Sequence, residues 1–134
     1  MTINAGARRR LDVTNTKYYP SVGRTMITGS SSDGNVNMTL SFPGYATPLS
    51  QCNDPSRLVL IQYHGPEGFF LGGVLGGNTC GVCQIAVTSS GPVGSHIVGT
   101  FSGTVQQDNG MNTCNASTAS IAGSFDAIRE ADGN

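Results

Sequence analysis

The sequence predicts an all-β fold, an antiparallel β-sandwich or small barrel of about eight strands with disulfides at one pole. Three observations carry this. Apolar and polar residues alternate at period two in short runs, Gly, Pro, Asn and Asp split those runs, and helical periodicity is nearly absent. At 134 residues the chain makes one domain with a core of its own. Its expected divisions are an N-terminal arm at 1–10, a single β domain at 11–129 and a C-terminal tail at 130–134.

The first strand runs from Arg10 to Tyr19 and the second from Arg24 to Ser30. The clearest is "NVNMTLSF", where Val36, Met38, Leu40 and Phe42 face one side and Asn35, Asn37, Thr39 and Ser41 the other, as in a strand with one wet face. Arg57 to His64, Phe69 to Leu75 and Val82 to Ser89 follow. "SHIVGTFSGTV" puts Ile97, Phe101 and Val105 on one side with Gly99 and Gly103, opposite His96, Val98, Thr100, Ser102 and Thr104. "SIAGSFDAI" repeats the scheme through Ile121, Gly123, Phe125 and Ala127. Glycine between large apolar residues on an inward face signals close packing across a curved sheet or barrel corner. Turn chemistry joins the strands at Asp33-Gly34, from Gly65 to Gly68 and from Gly91 to Gly94. Two long polar connections, Pro43 to Ser56 and Gln106 to Ala119, are where function is expected.

Composition narrows the setting. Charged residues make up 11%, against about 25% in typical globular proteins, and Ser, Thr, Asn and Gly take their place. Such a composition suits an extracellular or virion-surface protein. A formal net charge of -1 supplies no field to attract nucleic acid or an anionic membrane, so neither is an expected partner. No apolar run approaches the roughly 20 residues of a membrane span, and "MTINAGARRRLDV" has no apolar segment after a basic one. The cysteines nevertheless point to oxidation. Either a leader has been removed or the protein leaves its cell by lysis or dedicated machinery; the first is the expectation.

Cys52, Cys80, Cys83 and Cys114 are the disulfide candidates. With sequential antiparallel neighbours, the strand directions bring all of them to one pole. Four cysteines allow three connectivities. Cys52–Cys80 with Cys83–Cys114 is preferred, because bridges between loops constrain the unfolded chain more than a tiny CxxC ring. A redox CxxC should open a helix, yet Cys83 leads into the β pattern of Gln84 to Thr88. A structural zinc site usually shows two CxxC pairs and the chain has one. Structural disulfides are therefore expected, with no metal and no cofactor.

The other chemistry-bearing residues have plainer explanations. His64 falls at a hairpin turn and His96 on a polar strand face, without a nucleophile elbow or paired acid. Asp12, Asp33, Asp54, Glu67, Asp108, Asp126, Glu130 and Asp132 are scattered, and no catalytic residue is nominated. "SSSDGN" and "QQDNGMN" lack the acidic alternation of a calcium loop and read as Asx turns. Tyr18, Tyr19 and Tyr63 would be the platform of a glycan site, though core or strand-face packing accounts for them better. Arg8 to Arg10 reads as a solvated arm or strand start, and Asn37 and Asn115 match the glycosylation acceptor pattern.

"TMITGSSSDGNVNMTLSFPGY", "IVGTFSGTV" and "IAGSFDAIR" together resemble small Gly- and Thr-rich β-sandwich domains of exported bacterial proteins, many of them lipoproteins of unassigned function. The resemblance covers roughly Thr25 to Arg129 and implies export and a non-enzymatic role, with no active-site residues to carry over. The chain departs from that pattern in lacking a lipobox and in having two long loops and four cysteines. The expected protein is a secreted or cell-surface structural or binding module. Self-association into a filament or fibre, by an extended arm adding a strand to the next subunit, is the expected mode. A virion decoration or fibre protein and a carbohydrate-binding module are the alternatives.

Overall fold

A computed structural model describes residues 1–3, 9–44, 50–52, 59–75, 78–108 and 114–133. They form eleven strands: β1 (Thr2–Ile3), β2 (Asp12–Tyr19), β3 (Arg24–Ser30), β4 (Asn37–Pro43), β5 (Ser50–Gln51), β6 (Leu60–Gly65), β7 (Gly68–Leu75), β8 (Asn78–Cys80), β9 (Val82–Ser89), β10 (His96–Asp108) and β11 (Cys114–Ile128). Eight of these are the strands the alternation predicts. β1, β5 and β8 are two or three residues long, too short to show a period. No helix among the described residues is long and apolar enough to cross a membrane.

Every pairing is antiparallel, and the strands form one curled sheet, a half-barrel, in the order β1-β11-β10-β7-β6-β4-β3-β2. β10 is its hub. One edge of β10 pairs with β11, while the other carries β9 from Val98 to Thr104 and then β7 at Gln106 and Gln107. Sequential neighbours hold for β2-β3-β4, β6-β7 and β9-β10-β11, but β7 and β9 share a flank of β10 instead of pairing. Between them Gly81, at φ +69°, turns the chain where a Cβ would lie 3.0 Å from the Cα of Val105. No L side chain is accommodated there.

The inward faces of β10 and β11 interlock by size. Register sets Ile97 against Ala127, Gly99 against Phe125, Phe101 against Gly123, Gly103 against Ile121 and Val105 against Ala119. A Cβ on Gly99 would sit 2.5 Å from Cζ of Phe125, and one on Gly123 the same distance from Cζ of Phe101. Each ring thus covers the glycine opposite. Met38, Leu40 and Phe42 on β4 supply the facing wall and, like Val36 just before them, are buried.

The expected Gln106–Ala119 loop is instead mostly ladder, since β10 runs to Asp108 and β11 starts at Cys114. Ser117, Thr118 and Ser120 are solvent-exposed there, so no apolar period marks the strand. Both chain ends bond across the seam between the outermost strands. Thr2 and Ile3 pair with Ala122 and Ile121, and Met1 and Arg9 exchange two backbone hydrogen bonds of 2.7 and 3.0 Å. On the far side, Glu130 and Gly133 donate backbone N–H groups to the carbonyls of Thr16 (2.8 Å) and Tyr18 (2.9 Å) on β2.

Gly99→Ala should therefore destabilise the protein by about 1–3 kcal/mol in urea unfolding, the range for forcing a methyl into a filled core. The exposed neighbour Thr100→Ala should change stability by less than about 0.5 kcal/mol.

Candidate functional site

All four cysteines are bridged, but not in the preferred pairing: the disulfides are Cys52–Cys83 and Cys80–Cys114, with Cα separations of 5.1 and 6.0 Å. Strand register explains the difference. Ser50 opposes Ile85 and Gln51 opposes Gln84, so the next pair along is Cys52 and Cys83, whose backbones also share a 2.9 Å hydrogen bond. Cys80, on the other side of the Gly81 turn, belongs to β8 and is left for Cys114 at the start of β11. Loop entropy cannot choose between the pairings, because it varies only logarithmically with loop length. The two bridges meet beside the Gly72–Gly73 pair. A Cβ on Gly72 would lie 2.7 Å from Sγ of Cys83, and Gly73 is the ladder partner of Cys80. Two disulfides are consistent with an extracellular or otherwise oxidising environment.

At the opposite end of β7, the "HGPEG" hairpin carries a polar clasp. The Arg9 guanidinium pairs with both carboxylate oxygens of Glu67 and donates to the Tyr63 hydroxyl, which itself donates to Glu67. Arg9, together with the Tyr63 hydroxyl, holds the Glu67 carboxyl down at about 2. Burial, reinforced by the Glu67 charge, pushes the Tyr63 phenol up to about 12. The clasp ties the chain entering β2 to the β6–β7 hairpin, so Arg9 is committed to structure. Its neighbour Arg10 is exposed and has no carboxylate partner among the described residues.

Arg10 stands at the rim of a cavity of about 340 Å³. The cavity opens through the seam between Leu11 and Val13 on one side and Ser124 to Asp126 on the other, bounded by the Met1–Arg9 pair. Its floor is apolar: Ile27, Met38, Leu40, Phe101 and Phe125. An open hollow lined by Ser31, Asp33 and Asn35 adjoins it through Arg9 and Arg10.

The remaining candidates stay apart. His64 is exposed on β6, its ring edge-on to Phe69 at 5.5 Å. His96, at the start of β10, bonds through Nδ1 to Asp126 on the exposed face of β11. Asp33 accepts from Ser31 Oγ (2.6 Å) and Asn35 N (3.0 Å), the Asx turn expected for "SSSDGN", and the Ser31 hydroxyl leads in holding its carboxyl below the ordinary value. No three His, Cys, Asp or Glu side chains converge among the described residues. Tyr63 is fully buried, and Tyr18 lies under the Arg129 guanidinium at 5.7 Å, so the three tyrosines form no exposed row. The Asn37 side chain is engaged by Ser30 and Gly34. Arg8, Asp54 and most of "QQDNGMN" lie outside the described residues, as does the Asn115 side chain.

Sequence reasoning missed the clasp and the cavity. Arg9 and Glu67 are far apart in the chain, and only the curl of the sheet brings Arg9 to the hairpin. No family model, no curated protein and no solved structure matches this chain.

Glu67→Gln should lower stability at neutral pH. The carboxyl falls from an ordinary 4.5 to about 2 on folding, so its contribution is complete above 4.5 and fades as pH drops toward 2. Urea midpoints of the two proteins should therefore converge over that interval. Cys52→Ser with Cys83→Ser should cost about 3–4 kcal/mol for the 31-residue separation, and peptide mapping of the oxidised protein should recover Cys80–Cys114 intact.

Proposed function

We propose that this chain is a non-enzymatic, exported binding module whose working site is the seam cavity of the half-barrel. The carrying observation is an apolar, open cavity of about 340 Å³ with a few polar groups at its rim. Ligand sites in soluble proteins share that size and character, and the mouth of a β-barrel is one of their usual places. Export follows the resemblance to secreted bacterial β-sandwich domains and fits the two disulfides, and a cell or virion surface is the setting that goes with them. At the level of fold, this reading takes the half-barrel as a sandwich opened along one seam. The Phe42 and Phe125 rings facing each other at 6.4 Å across the core support it.

A second reading, self-association by strand addition, is favoured by one specific feature. β1 covers β11 only at Ile121 and Ala122, so Gly123 to Ile128 have no strand on their outer edge among the described residues. Such an edge accepts an added strand.

Titration with 1-decanol should give a saturable rise in thermal midpoint, about 9 °C at one hundred times Kd for a chain of this size. Val13→Trp, at the exposed lip of the window, should remove the rise without altering the fold. A flat titration would overturn the binding reading. Light scattering that shows a concentration-dependent oligomer, lost on Ser124→Pro, would favour strand addition instead.

A further inference from the structure

We infer that the seam cavity takes a single-chain amphiphile with an acidic head group, its tail in the cavity and its head on Arg10. The inference rests on the binding reading above and adds the ligand's chemistry. Size comes first. At roughly 30 Å³ for each water-sized group, about 340 Å³ holds around ten such groups, which matches a medium-length alkyl chain and is too little for a folded partner. The floor residues Ile27, Met38, Leu40 and Phe101 offer no charge, so the buried part of the ligand is apolar.

The rim decides the head. Among the described residues, three charged side chains line the cavity: Arg9, Arg10 and Asp126. Arg9 is already neutralised by Glu67. Asp126 is held by the His96 ring on the outer face. Arg10 alone of the three has its guanidinium uncommitted among the described residues, at the point where the cavity meets the outer hollow. A guanidinium with five donors and no acceptor recognises a carboxylate or another oxyanion, and it does so at the water's edge without burying an unpaired charge. The adjoining hollow, lined by Ser31, Asp33 and Asn35, keeps the head solvated and disfavours a bulky polyanion, because the Asp33 carboxylate stands beside it. A cationic head would meet the Arg10 guanidinium directly, and like-charge repulsion disfavours it.

The test compares decanoate, 1-decanol and decylamine by calorimetry on the whole oxidised chain at neutral pH, below their aggregation concentrations. Decanoate should bind at one site and lose about three- to tenfold in affinity in Arg10→Ala, the span for a solvent-exposed charge-assisted contact. Arg10→Lys should restore most of that loss, and 1-decanol should bind wild type and Arg10→Ala alike. Equal affinities of decanoate and 1-decanol, with Arg10→Ala silent on both, would overturn the acidic head while leaving the cavity reading standing. Tighter binding of decylamine would do the same. Failure of all three ligands would sink the inference together with the reading on which it rests.

Discussion

The size-matched ladder between β10 and β11 is the constraint on which the rest of this structure depends. A long two-stranded ribbon can coil tightly only if its concave face has room, and here each large residue on that face meets a small one across the ladder. Phe101 and Phe125 lie over Gly123 and Gly99, so the two rings fill the space their partners leave. The coil lets one flank of β10 serve β9 along its first half and β7 near its end. A flat ribbon could not present its edge in two directions. The half-barrel and its seam follow from that division.

Three fastenings hold the curled sheet. The disulfides join β5 to β9 and β8 to β11 near one end of β7, where Gly72 makes space for the Cys83 sulfur. The Arg9–Tyr63–Glu67 clasp works at the other end of β7, on the hairpin to β6. Between them the chain termini cross the seam from either side, Met1 to Arg9 and Glu130 to Thr16. The chemistry divides sensibly. Covalent bonds secure the ends of the two- and three-residue strands β5 and β8, and a desolvated phenol with an ion pair secures a segment entering the sheet from the arm. What the fastenings leave open is the window, and its apolar floor is the same core that the β10–β11 ladder organises.

This arrangement places the candidate site on a rigid wall rather than on the long connections. The cavity floor comes from β3, β4, β10 and β11, all with paired backbones, and among the lining residues only Met1 and the lip from Arg9 to Leu11 lie outside the strands. A site of this kind is preorganised, so a ligand would meet walls that need little ordering on binding. Among the described residues the one histidine–carboxylate contact, His96 with Asp126, sits on the exposed face of the same strands.

By itself the sequence determined the β class, the eight longer strands, their apolar faces, and the turns at Gly34, Gly65 to Gly68 and Gly91 to Gly94, though Ser41, expected on the wet face of β4, is buried. All of these are local properties: period-two alternation and turn chemistry act over a few residues, and the glycines at 99, 103 and 123 announce a crowded face whatever lies opposite. Only the tertiary structure decided which cysteine meets which, that β7 and β9 share a flank of β10, that Arg9 finds Glu67, and that a cavity opens beside Arg10. Those outcomes depend on register and curvature, which join residues far apart in the chain. A one-residue change of register turns every side chain to the other face, and nothing in a local pattern of hydrophobicity records which register the opposing strands adopt.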